Sequence, residues 1–267
     1  MSLTHETIEK IIDAVYAAGH YIAGADHGAL GVKSKPGTEN FVTDYDVGCQ
    51  RMLVSALSDI IPDAGFLAEE GGVDTAGEHE LTFIIDPIDA TTNFIHDLHH
   101  SAVCVGLADG MEALAGFVYN PFADEMFYAS RGDGAYLRKN GEDTRLSVSN
   151  RALSDALVGF GTVPYDRTQA DRTFKIAKEL FLNSREVRRF GSAALDVVYV
   201  AAGRFDVFFE LCLSPWDFAA SSIILTEAGG IITDIDGCGV SVFDKTSVLA
   251  TNVSSREGAL ALIKSIT

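Results

Sequence analysis

The chain has 267 residues, 47% hydrophobic and 22% charged, enough for a sizeable core in one large domain or two intimately packed ones. Its formal net charge is −18, with 38 acidic residues against 20 basic, which argues against binding along a nucleic-acid backbone or an anionic membrane. Four widely spaced cysteines without a Cys-x-x-Cys pair read as reduced, semi-buried thiols rather than a disulfide framework or zinc site. No stretch of eighteen apolar residues occurs, and charges interrupt the apolar N-terminal residues, so cytoplasmic residence is the expectation.

From the N-terminus, Ile8, Ile11, Ile12, Val15 and Ile22 recur near helical spacing and predict an amphipathic helix over residues 4–23, stopped at Gly24. A polar, turn-rich stretch follows over residues 31–46, and a second helix over 46–57 buries Met52, Leu53 and Leu57. Residues 64–68 read as a short strand ending in Glu69-Glu70 and Gly71-Gly72. Beyond the central stretch, 102–109 and 111–119 form a hairpin about Gly110, with further strands at 125–129 and 134–138 and an edge strand at 146–149. From about Asn150 the pattern alternates: strand 157–160, helix 167–181, strand 186–190, helix 192–202, strand 205–210, helix 216–228, strands 231–233 and 248–250, and helix 256–265. Such alternation marks an α/β half after a first half richer in hairpins, with the boundary near residue 150.

Three short patterns carry no chemistry. Arg131-Gly132-Asp133 is turn chemistry between strands. Asp234-Ile-Asp236-Gly237 fails as a calcium loop because Lys245 stands at the twelfth position, so it reads as a hairpin turn. His99-His100 lacks a third ligand at useful spacing and reads as loop surface.

The organising stretch is Leu81-Thr-Phe-Ile-Ile-Asp-Pro-Ile-Asp-Ala-Thr-Thr-Asn-Phe94. Phe83, Ile84 and Ile85 suit a buried strand ending at Asp86. Pro87 keeps Asp86 extended while its preset φ suits a first helical turn. Asp89 then lies in the turn beside the backbone N–H groups of Ala90, Thr91 and Thr92. Two hard anionic groups beside N–H donors suit the meeting of a divalent cation and a phosphate. Further acids stand at element ends: Glu69-Glu70 before two glycines, Glu210 at a strand end, and Asp217 in the first turn of a helix opened by Pro215. Singly, each also fits a plain role, as a solvated loop, a surface strand end, or a first-turn acid favoured by the macrodipole.

Together these pieces resemble the inositol monophosphatase family of magnesium-dependent, lithium-sensitive phosphatases. The resemblance covers essentially the whole chain. It includes Phe41-Val-Thr-Asp-Tyr-Asp46, Ala68-Glu-Glu-Gly71, the central motif, Gly191-Ser-Ala-Ala-Leu-Asp196, Ala201-Ala-Gly-Arg-Phe-Asp206, Pro215-Trp-Asp217 and Thr226-Glu-Ala-Gly-Gly230. It implies a mixed α/β and α+β chain in a five-layered αβαβα sandwich, of the inositol monophosphatase and fructose-1,6-bisphosphatase type, and a homodimer. Residues 1–150 would carry the main metal motifs, and 151–267 the substrate residues and last metal ligand.

By matched position, the resemblance gives one Mg²⁺ to Glu69, Asp86 and the carbonyl of Ile88, and a second to Asp86, Asp89 and Asp217. A third, weaker ion would sit near Glu69 with Asp46 helping through water. Thr91 with Glu69 would orient the attacking water, and the N–H groups of Ala90 and Thr91 would bind phosphate. Asp89, Ala193, Glu210 and Asp217 would face the substrate, with Lys35 near the entrance. Phosphoryl transfer needs positioning and charge neutralisation more than covalent chemistry, and a diol suits the acceptor pair of Glu210. Ala90 and Ala68 stand where the family most often has glycine.

The expected activity is Mg²⁺-dependent hydrolysis of a phosphate monoester, myo-inositol monophosphate first. Fructose-1,6-bisphosphatase, nucleotide 3′-phosphatase and histidinol phosphatase are alternatives within the family. Thr92-Asn93-Phe94 looks more like the inositol branch than the Lys-Glu-Phe version typical of nucleotidases. A different class, a non-catalytic partner protein that keeps the fold, would show a degraded acidic set, and none of the central carboxylates is missing. An acidic calcium-binding module would bind without turnover.

Overall fold

A computed structural model describes residues 3–35, 41–71 and 79–266; residues 36–40 of the turn-rich stretch, and Gly72, lie outside that set. The chain begins with α1 (His5–Ala23), capped by the Thr4 side chain accepting from the Thr7 N–H. A two-residue pair of strands, β1 (Lys33–Ser34) and β2 (Phe41–Val42), leads to α2 (Asp44–Ile60). The second helix starts two residues before residue 46 because Thr43 and Asp46 form a capping box. Asp46 is thereby buried as a capping acid instead of opening the helix.

Seven strands then make one sheet, in the order they occur: β3 (Gly65–Ala68), β4 (Leu81–Asp89), β5 (Ala102–Asp109), β6 (Glu112–Asn120), β7 (Glu125–Ser130), β8 (Gly134–Lys139) and β9 (Glu142–Arg145). Between β4 and β5 lies the single-turn helix α3 (Thr91–Ile95). Only β3 and β4 run parallel; the rest are hairpin neighbours. The edge strand closes earlier than residues 146–149 suggest, because the Asn140-Gly141 turn has positive φ at both positions, 53° and 77°, and reverses the chain tightly.

The second sheet is mixed, in the order β11-β10-β12-β14-β13. It comprises β10 (Leu157–Phe160), β11 (Glu186–Arg188), β12 (Val207–Leu213), β13 (Ile231–Thr233) and β14 (Thr246–Thr251). Its helices are α4 (Ala170–Asn183), α5 (Ala193–Ala201), α6 (Pro215–Glu227) and α7 (Val253–Lys264). Asp234-Ile-Asp236-Gly237 is a turn, in which Asp234 Oδ1 accepts from the Asp236 and Cys238 N–H groups at 2.9 and 2.7 Å.

Strand alternation assigns the layers. On β5, Val103, Val105 and Leu107 pack with Ile11, Ile12, Val15, Leu53 and Leu57 of α1 and α2. Ala102 and Cys104, on the other face, join Val118 of β6 and Leu195, Val198, Phe218 and Ile224 of α5 and α6. On β12, Phe208 enters that same middle cluster, while Val207 and Phe209 meet Ile176, Leu180, Ala259 and Ile263 of α4 and α7. The result is helix, sheet, helix, sheet, helix: a layered α/β sandwich in which the middle apolar cluster reaches both sheets from the central helices. α6 lies especially close to the larger sheet, since a Cβ on Gly116 would fall 2.1 Å from the Ala220 carbonyl oxygen.

Two local outcomes differ from the periodicity. β4 continues through Pro87 to Asp89 instead of turning into a helix at the proline. β3 ends opposite Ile85, so Pro87 lies beyond its ladder, and the pairing with β5 slips between Asp86 and Asp89; an irregular edge is where a residue lacking an N–H fits a sheet. His100 is no loop-surface residue: it is half-buried against Phe190 and Tyr199, whereas His99 is exposed and stacks on Phe122.

Candidate active site

Carbonyl-end turns of the larger sheet and the N-termini of the middle helices open onto one cavity of about 330 Å³. Its walls include Glu69, Asp86, Ile88, Asp89, Ala90, Thr91, Ala193, Glu210 and Asp217. Residues separated by nearly 150 positions are therefore gathered at one place. Lys35 and Asp46 stand behind this set, bonded to Glu69 and Thr91 respectively.

Each side chain is held by its element. The Glu69 N–H donates to the Ile85 carbonyl at 3.1 Å, extending the β3–β4 pairing by one residue. Glu70 is fixed through its backbone by Gln50, whose Oε1 accepts from the Glu70 N–H at 2.9 Å. Asp86 Oδ1 accepts from the Ile88 N–H at 3.0 Å, which pins the carboxylate across Pro87. Asp89 reaches across to α5: its Oδ2 accepts from the Ser192 hydroxyl and, at 3.0 Å, from the Ala194 N–H. Asp217 is the capping-box acid of α6, accepting from the Ser214 N–H at 2.6 Å. Glu210 lies at a register irregularity of β12 and accepts from the Val163 N–H at 3.1 Å. Gly161 is needed beside it: a Cβ there would stand 1.8 Å from Glu210 Oε2.

Ala90 adopts the left-handed conformation, φ 70° and ψ 52°, and starts α3. That geometry costs a non-glycine residue about 1 kcal/mol, and it turns the first N–H groups of α3, which have no partner within a helix, beside Asp86 and Asp89. Thr91 Oγ1 donates within reach of Asp46 Oδ1 at 3.2 Å and the Ile88 carbonyl at 3.1 Å. The Thr91 partner is therefore Asp46, where the resemblance pairs it with Glu69. Glu69 is instead bonded to the Lys35 ammonium at 2.9 Å, and Lys35 also bonds Glu70. Lys35 is held charged by these two acids despite its burial.

The electrostatics are those of crowded, desolvated acids. Asp86 is pushed well above the usual carboxylate range by burial and then by Glu69, Asp89 and Asp217. Asp217 is raised by burial, then by Glu69 and Asp89. Burial, partly offset by its hydrogen bonds to Ser192 and Ala194, brings Asp89 up to about 6. Burial likewise lifts Asp46 to about 6 against its two bonds from Thr43. Glu210 rises to about 7, again mainly through burial.

This donor set suits a hard cation. It offers carboxylate oxygens and a carbonyl, without sulfur or imidazole, and positive charge is what allows the acids to ionise together. Lys35 already sets one positive charge between Glu69 and Glu70. Among the described residues no three His, Cys, Asp or Glu side chains close a cage by themselves, so an ion would draw the acids inward and compete with Lys35 for Glu69. The crowded acids, the first N–H groups of α3 and the Glu210 carboxylate thus all face one cavity.

Several residues of the wall were given no role by the sequence, three charged ones among them. Arg189, Arg167 and Asp196 all line the cavity. Arg189 sends Nη2 to the Thr162 hydroxyl at 2.9 Å, and its charge acts on Glu210 and Asp196. No spacing rule picks out the arginines. Asp196 was visible only as part of the Gly191–Asp196 motif.

An acidic cavity in a layered α/β sandwich fits a phosphatase class, and comparison with known proteins narrows it. The model of the inositol monophosphatase family matches residues 4–267. An inositol-1-monophosphatase of Caulobacter vibrioides is 40% identical over 224 residues, 82% of this chain and 85% of its own. The Nus factor SuhB of Vibrio cholerae is 34% identical over 98% of this chain and 96% of its own. Among solved structures, the IMPase of Thermotoga maritima superposes with a TM-score of 0.87 at 31% identity, covering 98% of both chains. The chain belongs to the inositol monophosphatase family and is a phosphatase enzyme. Among the described residues, no helix is long and apolar enough to cross a membrane.

Proposed function

We propose that the protein hydrolyses a phosphate monoester of a polyol, with myo-inositol monophosphate the leading substrate, in a reaction that requires Mg²⁺. The observation that carries this reading is the convergence of Glu69, Asp86, Asp89 and Asp217 on a cavity that also presents Thr91 and Glu210. Glu69, Asp86 and the Ile88 carbonyl would hold one ion, and Asp86, Asp89 and Asp217 a second. A third would lie near Glu69 with help from Asp46. Bound there, the ions would supply charge neutralisation and a more acidic water.

The remaining work falls to the chain itself. The N–H groups of Ala90 and Thr91 hold the phosphate oxygens at the start of α3. Thr91, steadied by Asp46 at 3.2 Å, orients the attacking water, and Glu69 takes its proton once Lys35 yields that carboxylate. Asp89, Ala193, Glu210 and Asp217 face the alcohol portion. Glu210, lifted to about 7, is suited to bond a hydroxyl either as carboxylate or as acid. A homodimer, a cytoplasmic setting and sensitivity to Li⁺ belong to the same reading.

The test is phosphate release, ranked by kcat/KM, from myo-inositol 1-phosphate, fructose 1,6-bisphosphate, a nucleotide 3′-phosphate and histidinol phosphate, with Mg²⁺ and again with added Li⁺. Inositol phosphate should lead. A faster fructose bisphosphate would move the chain to the sugar-phosphatase reading. The name Nus factor SuhB, carried by several relatives, favours a second reading as a protein-binding partner. Tight, salt-sensitive protein binding with no phosphate release at saturating Mg²⁺ would put that reading first.

A further inference from the structure

The second acid of α5 is the least settled polar group of the cavity. Asp196 is 1% exposed, lines the cavity wall, and its Oδ1 has no hydrogen-bond partner. Its neighbours in the field differ. Asp89 is satisfied by Ser192 and Ala194, and Glu210 by Val163. Within the α5 side of the cavity, the unmet bonding capacity thus belongs to Asp196. A buried acceptor left without a partner costs about 1–3 kcal/mol, and more when charged, so such an atom persists where something else supplies its partner.

A helix-stabilising role does not account for it. Asp196 stands in the first turn of α5, where an acid is favoured by the macrodipole, but that role needs no desolvation, and the N-cap bond of this helix is made by Ser192 to the Leu195 N–H. Nor is Asp196 paired with a cation at bonding distance among the described residues: Arg189 acts on it only through its field, while its Nη2 bonds Thr162. The group that fits must be small, must enter from the cavity, and must tolerate the acids Asp89 and Glu210, whose charges act on Asp196. A hydroxyl meets all three conditions, since it both donates and accepts and can serve a carboxylate or a neutral carboxylic acid equally.

We infer that Asp196 is a specificity-determining residue that bonds a hydroxyl of the polyol substrate on the α5 side of the cavity, away from the phosphate. This rests on the phosphatase reading above and extends it, giving the alcohol pocket a hydroxyl-reading acid besides Glu210. An alcohol without a hydroxyl at that position leaves Asp196 unpartnered in the complex and forgoes the gain. Discrimination between polyol and plain alcohol phosphates follows, because buried polar groups left unpaired are what a site uses to reject an analogue lacking the matching group.

The experiment compares the wild type with Asp196→Asn and Asp196→Ala on myo-inositol 1-phosphate, on its analogues each lacking one ring hydroxyl, and on phenyl phosphate. The loss in kcat/KM on the polyol should exceed the loss on phenyl phosphate by about 10–100-fold for Asp196→Ala, the range of a hydrogen bond to a charged group. One deoxy analogue should show that penalty already with the wild type and little further penalty with the variant. Equal losses on every substrate would mean a merely structural acid and overturn the inference. Absence of Mg²⁺-dependent release from every one of these substrates by the wild type would instead defeat the phosphatase reading. A further measurement keeps Asp196 testable even then: the thermal shift that inositol phosphate induces should be smaller for Asp196→Asn than for wild type, and an identical shift would again overturn the inference.

Discussion

The two walls of the cavity are built in contrasting ways. The wall from the larger sheet concentrates its chemistry in a few consecutive residues: Asp86 to Thr91 contribute two carboxylates, a carbonyl and the first N–H groups of α3. The wall from α5, α6 and β12 contributes isolated side chains from three separate elements: Ala193 and Asp196 from α5, Glu210 from β12 and Asp217 from α6. The first wall crowds its acids: Asp86, raised first by burial, is pushed further by Glu69, by Asp89 and, from the opposite wall, by Asp217. On the second, Glu210 is also raised chiefly by burial, but there the Arg189 charge opposes the shift. The first suits an ion and a phosphate shared by all substrates, and the second suits the part that varies.

Replacing Asp86 should separate the walls most sharply. Asp86→Asn removes a charge that both expected ions share, so Mg²⁺-dependent phosphate release should fall by several orders of magnitude. Metal-free melting should stay level or rise, since one buried, repelled carboxylate is gone. Turnover near wild type would sink the two-ion reading.

On the other wall, Gly161→Ala would drive a methyl into the Glu210 carboxylate, 1.8 Å away in the native geometry. It should raise KM for polyol phosphates about tenfold and change phenyl phosphate turnover less. Equal effects on both substrates would mean that Glu210 does not face the alcohol.

Acidity gives a smaller effect with a definite sign. Glu210 sits at about 7 and Asp46 at about 6 when folded, above the roughly 4 of unfolded carboxyls. The native state therefore binds these protons more tightly, and their contribution is fully present below about pH 4 and is lost as pH rises to about 7. Metal-free protein should lose melting temperature across that interval through these groups, and saturating Mg²⁺ should flatten the slope. A metal-free profile that climbs steadily toward pH 8 would contradict the raised values.

Ala90→Gly should be the mildest change. It relieves the left-handed strain of about 1 kcal/mol but adds freedom to the unfolded chain, so the net gain stays below that. Differential scanning calorimetry would register it as a small rise in Tm, and a clear fall would show that the Ala90 methyl packs usefully.

The same contrast governs what could be read in the sequence. Asp86, Asp89 and Thr91 are neighbours in the chain, but Asp-Pro-Ile-Asp alone reads as a strand-ending turn with Asp89 as a helix N-cap, and only the Ala-Thr-Thr-Asn-Phe extension and the remote acids point to an ion and a phosphate. The strand through Pro87 was not visible, because the rule for residues around proline knows nothing of where β3 ends. The left-handed Ala90 was equally hidden, since alanine carries no sign of positive φ. Asp217 and Glu210 were findable through a helix-start motif and a strand end, and the family resemblance put them beside Asp86. Thr91 was paired with Glu69, yet Asp46 takes that place, because the capping box of α2 points its acid inward and nothing in the local sequence announces where a capped helix will aim. The alternation of β5 and β12 was legible as strands, but the five layers required knowing which face met which helix. The arginines of the second wall had no periodic signature at all.

The near-contact of Gly116 with Ala220 reaches beyond packing. It fixes the spacing between the larger sheet and α6, whose first turn carries Asp217. One backbone approach, well inside the protein, thereby gauges how far the last acid stands from the first. A side chain at position 116 would act as a shim, lifting the helix and widening the ionic gap without altering a single ligand, and loss of metal affinity could then arise from a residue that never meets the ion.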